Sequence, residues 1–346
     1  MALWAMVKIV MHVSLAQAST ILKSGEVVAI PTETVYGLAA DASNDSALQK
    51  IFATKQRPAD HPLIVHIGNI NQVYSWVTDF PETAVKLAQT FWPGPLTLVL
   101  PAQDHVSRVL RGNEATVALR VPNHPTTLAL LELSGLSVAA PSANLFTQLS
   151  PTTAEHVEMG LGTHVPVLDG GACAVGIEST IVSVASNGNW QLLRPGMISE
   201  AEIALVAGRP PMNVDKTNRN NLDTLTPKVP GQHLLHYSPR TSVYLFNNRA
   251  DLVHACEAIQ LANQTCAALL IGDGDKPSCK IMRLINQPQE VAEALYRTLH
   301  ELDALQVNQL LVELPPDTPI WAAVRDRLTR AGGSATESLR SQVISK

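Results

Sequence analysis

Four cations in this 346-residue chain stand in short windows suited to binding anions. Lys55 and Arg57 lie in Ile51-Phe52-Ala53-Thr54-Lys55-Gln56-Arg57-Pro58-Ala59-Asp60-His61-Pro62-Leu63, Arg120 in Thr116-Val117-Ala118-Leu119-Arg120-Val121-Pro122, and Arg194 in Leu193-Arg194-Pro195-Gly196. An Arg fork grips a phosphate or carboxylate in bidentate fashion, whereas Lys supplies a compact charge. Cations closing a helix also complement its macrodipole, so position alone does not decide for Lys55 and Arg57. Scarcity argues for function: residues 1–200 hold 10 Lys and Arg against 15 Asp and Glu, and two of the ten sit in this window. Arg120 follows an apolar strand and needs an anionic partner, either a ligand or a structural carboxylate.

Hydroxyls and small residues gather in two further windows. Pro31-Thr32-Glu33-Thr34-Val35-Tyr36-Gly37-Leu38 directly follows the apolar run Val27–Ile30. Ligands of open α/β sheets collect at such strand ends, although a Pro-led turn satisfying its own backbone is the plainer alternative. Val138-Ala139-Ala140-Pro141-Ser142-Ala143-Asn144, with Ser150-Pro151-Thr152-Thr153 after it, runs from a buried strand to a helix start. Backbone N–H groups there can cradle phosphate without a lysine; ordinary capping by Ser150 or Thr152 is the competing reading. Asp169-Gly170-Gly171 and Gly176-Ile177-Glu178-Ser179-Thr180 add glycines and more hydroxyls. The P-loop, dinucleotide, zincin and nucleophile-elbow signatures are all missing, so any ATP site is of an uncommon kind.

These windows need a scaffold, and the chain predicts one. Its length and 46% hydrophobic content suit two globular domains, and aromatics at 4% leave a core of Val, Leu, Ile and Ala, as in buried α/β strands. Strands are predicted over 27–30, 63–67, 96–100, 116–121, 138–140, 165–168 and 180–184, with helices over 46–54, 82–91, 126–133 and 152–159 between them. Trp92-Pro93-Gly94-Pro95 reads as a rigid turn, with Trp92 as a core anchor. From Gly208 the texture turns Pro-, Gly- and Asn-rich as far as Pro239, a linker. Strands at 243–246, 267–271, 281–285 and 310–313 then alternate with helices at 250–261, 289–302 and 320–330. The predicted organisation is a first domain over 1–207, a linker over 208–240 and a second, smaller β/α domain over 241–346.

Charge and cysteines narrow the class. A net charge of −5 with no basic surface argues against RNA binding as the main activity. Cys173, Cys256, Cys266 and Cys279 are far apart without any C-x-x-C pair, which argues against a zinc site or a disulfide scaffold and for reduced thiols in cytosol. Ala16-Gln17-Ala18 has the look of a secretory cleavage site. Lys8 and His12 interrupt the apolar run before it, however, so an N-terminal strand followed by a helix is the expectation. No stretch reaches the roughly 20 apolar residues of a membrane span.

Taken together and in order, PTETVYGL, KQRPADHPLIVHI, WPGPLTLVL, TVALRVP, APSAN, SPT, DGG, GIESTIV and LLRPG strongly resemble the YrdC-type threonylcarbamoyl-AMP synthase family, over about residues 19–207. Pro230-Gly231, His236-Tyr237-Ser238-Pro239 and the trailing β/α domain resemble its longer two-domain form. The resemblance implies a twisted open mixed sheet of YrdC-like α/β type around a concave, positively lined cavity, followed by a smaller Rossmann-like β/α domain. It also implies a cytoplasmic enzyme that makes L-threonylcarbamoyladenylate from L-threonine, bicarbonate and ATP, releasing pyrophosphate. Mg²⁺ would be carried by the nucleotide, and no protein metal site is implied. A tRNA-modifying threonylcarbamoyl transferase would be the downstream partner, with direct tRNA binding weak or absent.

Carried onto this chain, Thr34, His66, Arg120, Ala140 and Thr180 would surround threonine. Arg57, His61, Thr116, Ser142, Asn144, Ser150 and Arg194 would surround ATP, with His236 and Tyr237 reaching it from a linker lid. Lys55 would face the developing anionic centre beside Arg57. The chain departs from the family at His61, usually Asn, at Phe146-Thr147, usually Ser-Gly, and at residues 232–235. Two alternatives carry their own signatures: a non-catalytic RNA-binding protein of the same fold, and a hydrogenase-maturation carbamoyl-transfer module. The latter adds an acylphosphatase segment and C-x-x-C fingers, which this sequence lacks.

Overall fold

The structure is a computed structural model; it describes residues 11–212, 227–231 and 236–332. An eight-stranded mixed sheet is built from β1 (Val28–Ile30), β2 (Gly37–Asp41), β3 (Ile64–His66), β4 (Leu96–Pro101), β5 (Thr116–Arg120), β6 (Val138–Ala139), β7 (Thr180–Val184) and β8 (Trp190–Arg194). Their order is β1-β2-β6-β3-β5-β4-β7-β8. Only β3–β5 and β4–β7 pair in parallel.

Strand alternation divides this sheet into two faces. Leu98, Leu100, Val117, Leu119, Val182 and Val184 join the main core under the helices, which include Asp45–Lys55, Glu82–Phe91 and Glu200–Ala207. Ile64, Val99, Ala118 and Ile181 point the other way and form a separate apolar floor with Val229 of the linker. That second face carries the cavity described below.

The second sheet is fully parallel, in the order β11 (Lys280–Leu284), β10 (Cys266–Ile271), β12 (Gln309–Glu313), β9 (Ser242–Phe246). Both of its faces are covered, as a parallel sheet requires. Leu269, Leu310 and Val312 meet helix Pro288–Asp303 and helix Ala322–Gly332, while Ala268, Leu270 and Leu311 meet helix Arg249–Leu261. The first of these clusters also takes in Val35, Leu149, Ile177 and Tyr237, so the two domains share a core. Gly176 sits at the junction with φ +79°, where an added Cβ would lie 2.5 Å from backbone atoms of Ala292 and Glu293.

Most predicted elements form within one or two residues of their expected ends. The exceptions have local causes. Residues 165–168 form no strand, since Val167 makes only isolated bridges to His12 and Ala29. β2, β8 and helix Glu200–Ala207 were absent from the prediction: β2 is a Gly- and Ala-rich run, β8 ends against Pro195, and the helix is apolar without clear periodicity. Ala16–Ala18 fall in helix Leu15–Lys23, opened by a Ser14–Gln17 capping box, with Ala18 buried. The strand expected before it, and the linker stretches 213–226 and 232–235, lie outside the described residues. Among the described residues no helix is long and apolar enough to cross a membrane.

Candidate active site

A small cavity of about 50 Å³ opens on the second face of the large sheet and is lined in part by Pro230, Gly231, His236 and Tyr237 of the linker. Its cations arrive by local devices, two of them by one turn. Asn44 caps helix Asp45–Lys55 by accepting from Ser46 and Ala47, and the helix ends at Gln56 in the left-handed conformation, φ 51°. This turn throws both Lys55 and Arg57 inward, where they are buried. Lys55 Nζ donates to the carbonyls of Ser142 (2.5 Å) and Asn144 (2.6 Å), gripping the strand-to-turn window. Burial, then Arg57, pushes its ammonium well below the usual lysine range. Arg57 Nη2 donates to Pro62 O at 3.0 Å, while its Nε has no hydrogen-bond partner; burial lowers its pKa to about 10.

Arg194 ends β8 and spans from sheet to linker. Its Nη2 donates to Ser179 O (2.9 Å) and Ser179 Oγ (3.1 Å), and its Nη1 to Pro230 O (3.1 Å). At the other end of the cavity Arg120 Nη1 donates to Thr34 Oγ1 (2.9 Å) and Nε to Gly94 O (3.2 Å). Arg120 Nη2 also lies 2.7 Å from Glu33 Oε1, yet neither oxygen of Glu33 receives a hydrogen bond. The parallel register puts His66 beside Arg120; burial and then Arg120 hold its imidazole neutral, with a pKa of about 3.

The linker supplies the roof. His236 rests edge-on to Phe146 (6.0 Å) and Tyr237 (4.1 Å), and burial lowers its pKa to about 3. Gly231, φ +87°, passes so close that a Cβ would come within 2.3 Å of the Tyr237 hydroxyl. The Tyr237 hydroxyl, His236 Nδ1 and Asn144 Oδ1 are buried without hydrogen-bond partners. Together with Arg57 Nε they are polar atoms that a polar ligand would satisfy.

Behind the roof lies Glu178. Its Oε1 accepts from Ser150 Oγ (2.5 Å), and its Oε2 from Arg327 Nε (2.8 Å) and Tyr296 OH (3.0 Å) of the second domain. Burial alone would raise this carboxyl, but Arg327 and Arg194 bring it down to about 2. With Glu178 spent on Arg327 and Glu33 on Arg120, no described carboxylate lies within ion-pair distance of Lys55, Arg57 or Arg194. Three buried cations without acids of their own form a receptor for a multiply charged anion.

Of the residues selected from sequence, Thr34, Lys55, Arg57, Arg120, Ser142, Asn144, Arg194, His236 and Tyr237 line this one cavity. Others take indirect places. Ser150 holds Glu178, and His61 stands at the rim against Phe146 (5.4 Å). Ala140 packs in the neighbouring core with its N–H bonded to Ile64 O. Thr116 begins β5 and Arg120 ends it, which separates them by about 13 Å along the strand. Thr180 is turned from the floor by strand alternation, because Ile181 occupies that face, and its hydroxyl donates to Ile198 O (2.8 Å). Ser179 and Glu178 were not singled out, although the alternation around Ile181 is the signal that would have placed Ser179 in the wall.

The comparisons with known proteins accord with this architecture. A family model described as "Telomere recombination" matches residues 20–196, and one for the threonylcarbamoyl-AMP synthase C-terminal domain matches residues 198–333. The threonylcarbamoyl-AMP synthase of Bacillus subtilis is 40% identical over 92% of this chain and 93% of its own length. The chain belongs to the threonylcarbamoyl-AMP synthase family. That of Pyrococcus abyssi is 38% identical over 91% of this chain and 93% of its own. The crystal structure of P. abyssi Sua5 complexed with L-threonine superposes with a TM-score of 0.84 at 34% identity, covering 92% of this chain and 94% of that one. The family's two-domain form is thus the fold of this chain.

Proposed function

We propose that this chain condenses L-threonine, bicarbonate and ATP into L-threonylcarbamoyladenylate, releasing pyrophosphate. The observation that carries the reading is the trio Lys55, Arg57 and Arg194, buried around one cavity with no carboxylate of their own, facing a separate Arg120–Thr34 end. The trio suits a triphosphate; the Arg120 fork and the Thr34 hydroxyl suit an amino acid's carboxylate and hydroxyl. P. abyssi Sua5, similar over nearly the whole chain, is described with L-threonine bound.

In this reading threonine's amine adds to bicarbonate with loss of water, giving a carbamate. A carbamate oxygen then attacks the α-phosphorus, its new P–O bond replacing the bond to the β-phosphate, and pyrophosphate leaves. The protein supplies no nucleophile. Arg57 and Arg194 hold the phosphate charge as it moves to the leaving group, and Lys55, pinned by two carbonyls, directs its remaining proton at the reacting centre. An entering anion reverses the burial penalty on Lys55 and so keeps it protonated. His61, Thr116, Ser142, Asn144, Ser150, His236 and Tyr237 complete the ATP side, and His66, Ala140 and Thr180 the threonine side, several of them through the neighbours that they position.

Mg²⁺ would enter as the nucleotide's counterion, since Glu178, the carboxylate in the wall, is already held by Ser150, Tyr296 and Arg327. The product is an activated acyl group for a tRNA-modifying threonylcarbamoyl transferase in the cytoplasm. With a net charge of −5, the chain is not suited to holding tRNA by itself. Purified protein should release pyrophosphate from ATP only when threonine and bicarbonate are both present; equal release without threonine would overturn the assignment.

A further inference from the structure

The cysteines correct a conclusion drawn from their spacing. Separated by ten and more positions in sequence, Cys256, Cys266 and Cys279 come together in the second domain, all three Sγ atoms within 4.8 Å of one another. The fold explains why. Cys266 opens β10, and the parallel register that pairs Ala267 with Lys280 puts Cys279 beside it at the edge of β11. Cys256 comes down from helix Arg249–Leu261, packed over the same face with Leu252 and Ile259. Gln260 clamps the Cys279 turn to that helix: its Nε2 donates to Ser278 O (2.8 Å), and its Oε1 accepts from Ser278 Oγ (2.7 Å).

From this geometry we propose that Cys256, Cys266 and Cys279 form a binding site for one thiophilic d10 cation, Zn²⁺ or Cu⁺. Cys256 and Cys266 Sγ are 3.6 Å apart, and three thiolates around a metal with bonds of about 2.3 Å stand about 3.8–4.0 Å from one another. The 3.6 Å pair and the limit of 4.8 Å on the other separations lie close to that requirement, so small side-chain movements close the site. Two of the thiols are buried among apolar side chains, and Cys279 is half-buried, which leaves one side through which an ion enters. Soft sulfur ligands select Zn²⁺ and Cu⁺ over the hard cations that accompany nucleotides. Three sulfurs complete a trigonal Cu⁺ centre, whereas Zn²⁺ would take water at the Cys279 side as its fourth ligand. The competing account is that three small apolar side chains simply pack together. The site lies on the face of the second sheet turned away from the other domain, so the ion would tie helix to strands rather than take part in catalysis.

The test uses the full chain, reduced, stripped with a chelator and titrated with Cd²⁺ as the spectroscopic probe. A thiolate-to-cadmium charge-transfer band that saturates at one equivalent is expected. Cys279→Ser, at the half-buried position, should keep the apo-protein's melting temperature and lose at least about ten-fold in Cd²⁺ affinity. Cys173→Ser, in the other domain, should bind as the unaltered chain does. Competition with Zn²⁺ and with Cu⁺ then identifies the ion. No saturable band, undiminished affinity in Cys279→Ser, or displacement by neither ion would overturn the proposal.

Discussion

Two buried arginine–glutamate pairs flank the cavity, and they are finished to different degrees. Arg327–Glu178, between the domains, is complete: besides the bonds to Ser150 and Tyr296, Arg327 Nη1 donates to Pro195 O and Nη2 to Glu178 O. Arg120–Glu33 approaches to 2.7 Å without any hydrogen bond to the carboxylate, and it faces the cavity. A buried pair offsets its desolvation only when its remaining protons and lone pairs are satisfied. The first pair is therefore a fastener. The second is unfinished: Arg120 Nη2 and both Glu33 oxygens lack a hydrogen-bond partner beside the cavity.

This contrast can be broken by mutation. Arg57→Ala, in the acid-free trio, should reduce adenylate formation by at least about 100-fold with the melting temperature nearly unchanged; a retained rate would show that the trio does not act on phosphate. Arg327→Ala strips Glu178 of its partner and should cost about 3–5 kcal/mol in chemical denaturation. A mild loss there would mean that the fastener is dispensable. Arg120→Lys keeps the charge but not the fork, so the KM for threonine should rise about ten-fold while stability holds; equal loss of stability would make the two pairs alike.

Acid should separate them too. Glu178, held near 2, contributes stability that is fully present above its ordinary value of 4.5 and is lost as the pH falls towards 2. His66 and His236, held near 3 against an ordinary 6.5, cost stability as the pH drops below 6.5, because only the unfolded chain takes up their protons there. Thermal melting should therefore decline in two stages, and Glu178→Gln should remove the lower one. The smallest effect is expected at the wall: Ser179→Ala should raise the KM for ATP a few-fold by loosening Arg194.

What was legible in the sequence follows the reach of its signals. Helix Glu82–Phe91 and β7 were fixed by their own periodicity, and the cations by their rarity in the first 200 residues. Glu178 could not be read, because its meaning comes from Arg327, 149 positions away. The thiol cluster was hidden for the same reason: register between neighbouring strands, not spacing along the chain, brings Cys266 and Cys279 together. Thr180 stands one step of alternation from the floor residue Ile181, the interval that exchanges the two faces of a strand.

The Glu178 latch makes the electrostatics of the cavity a property of both domains. With Arg327 docked, Glu178 is satisfied from behind by Arg327 and Tyr296. After Arg327, Arg194 is the cation that acts most strongly on this carboxylate. The smaller domain thus holds, through Tyr296 and Arg327, a carboxylate that lines the cavity of the larger one.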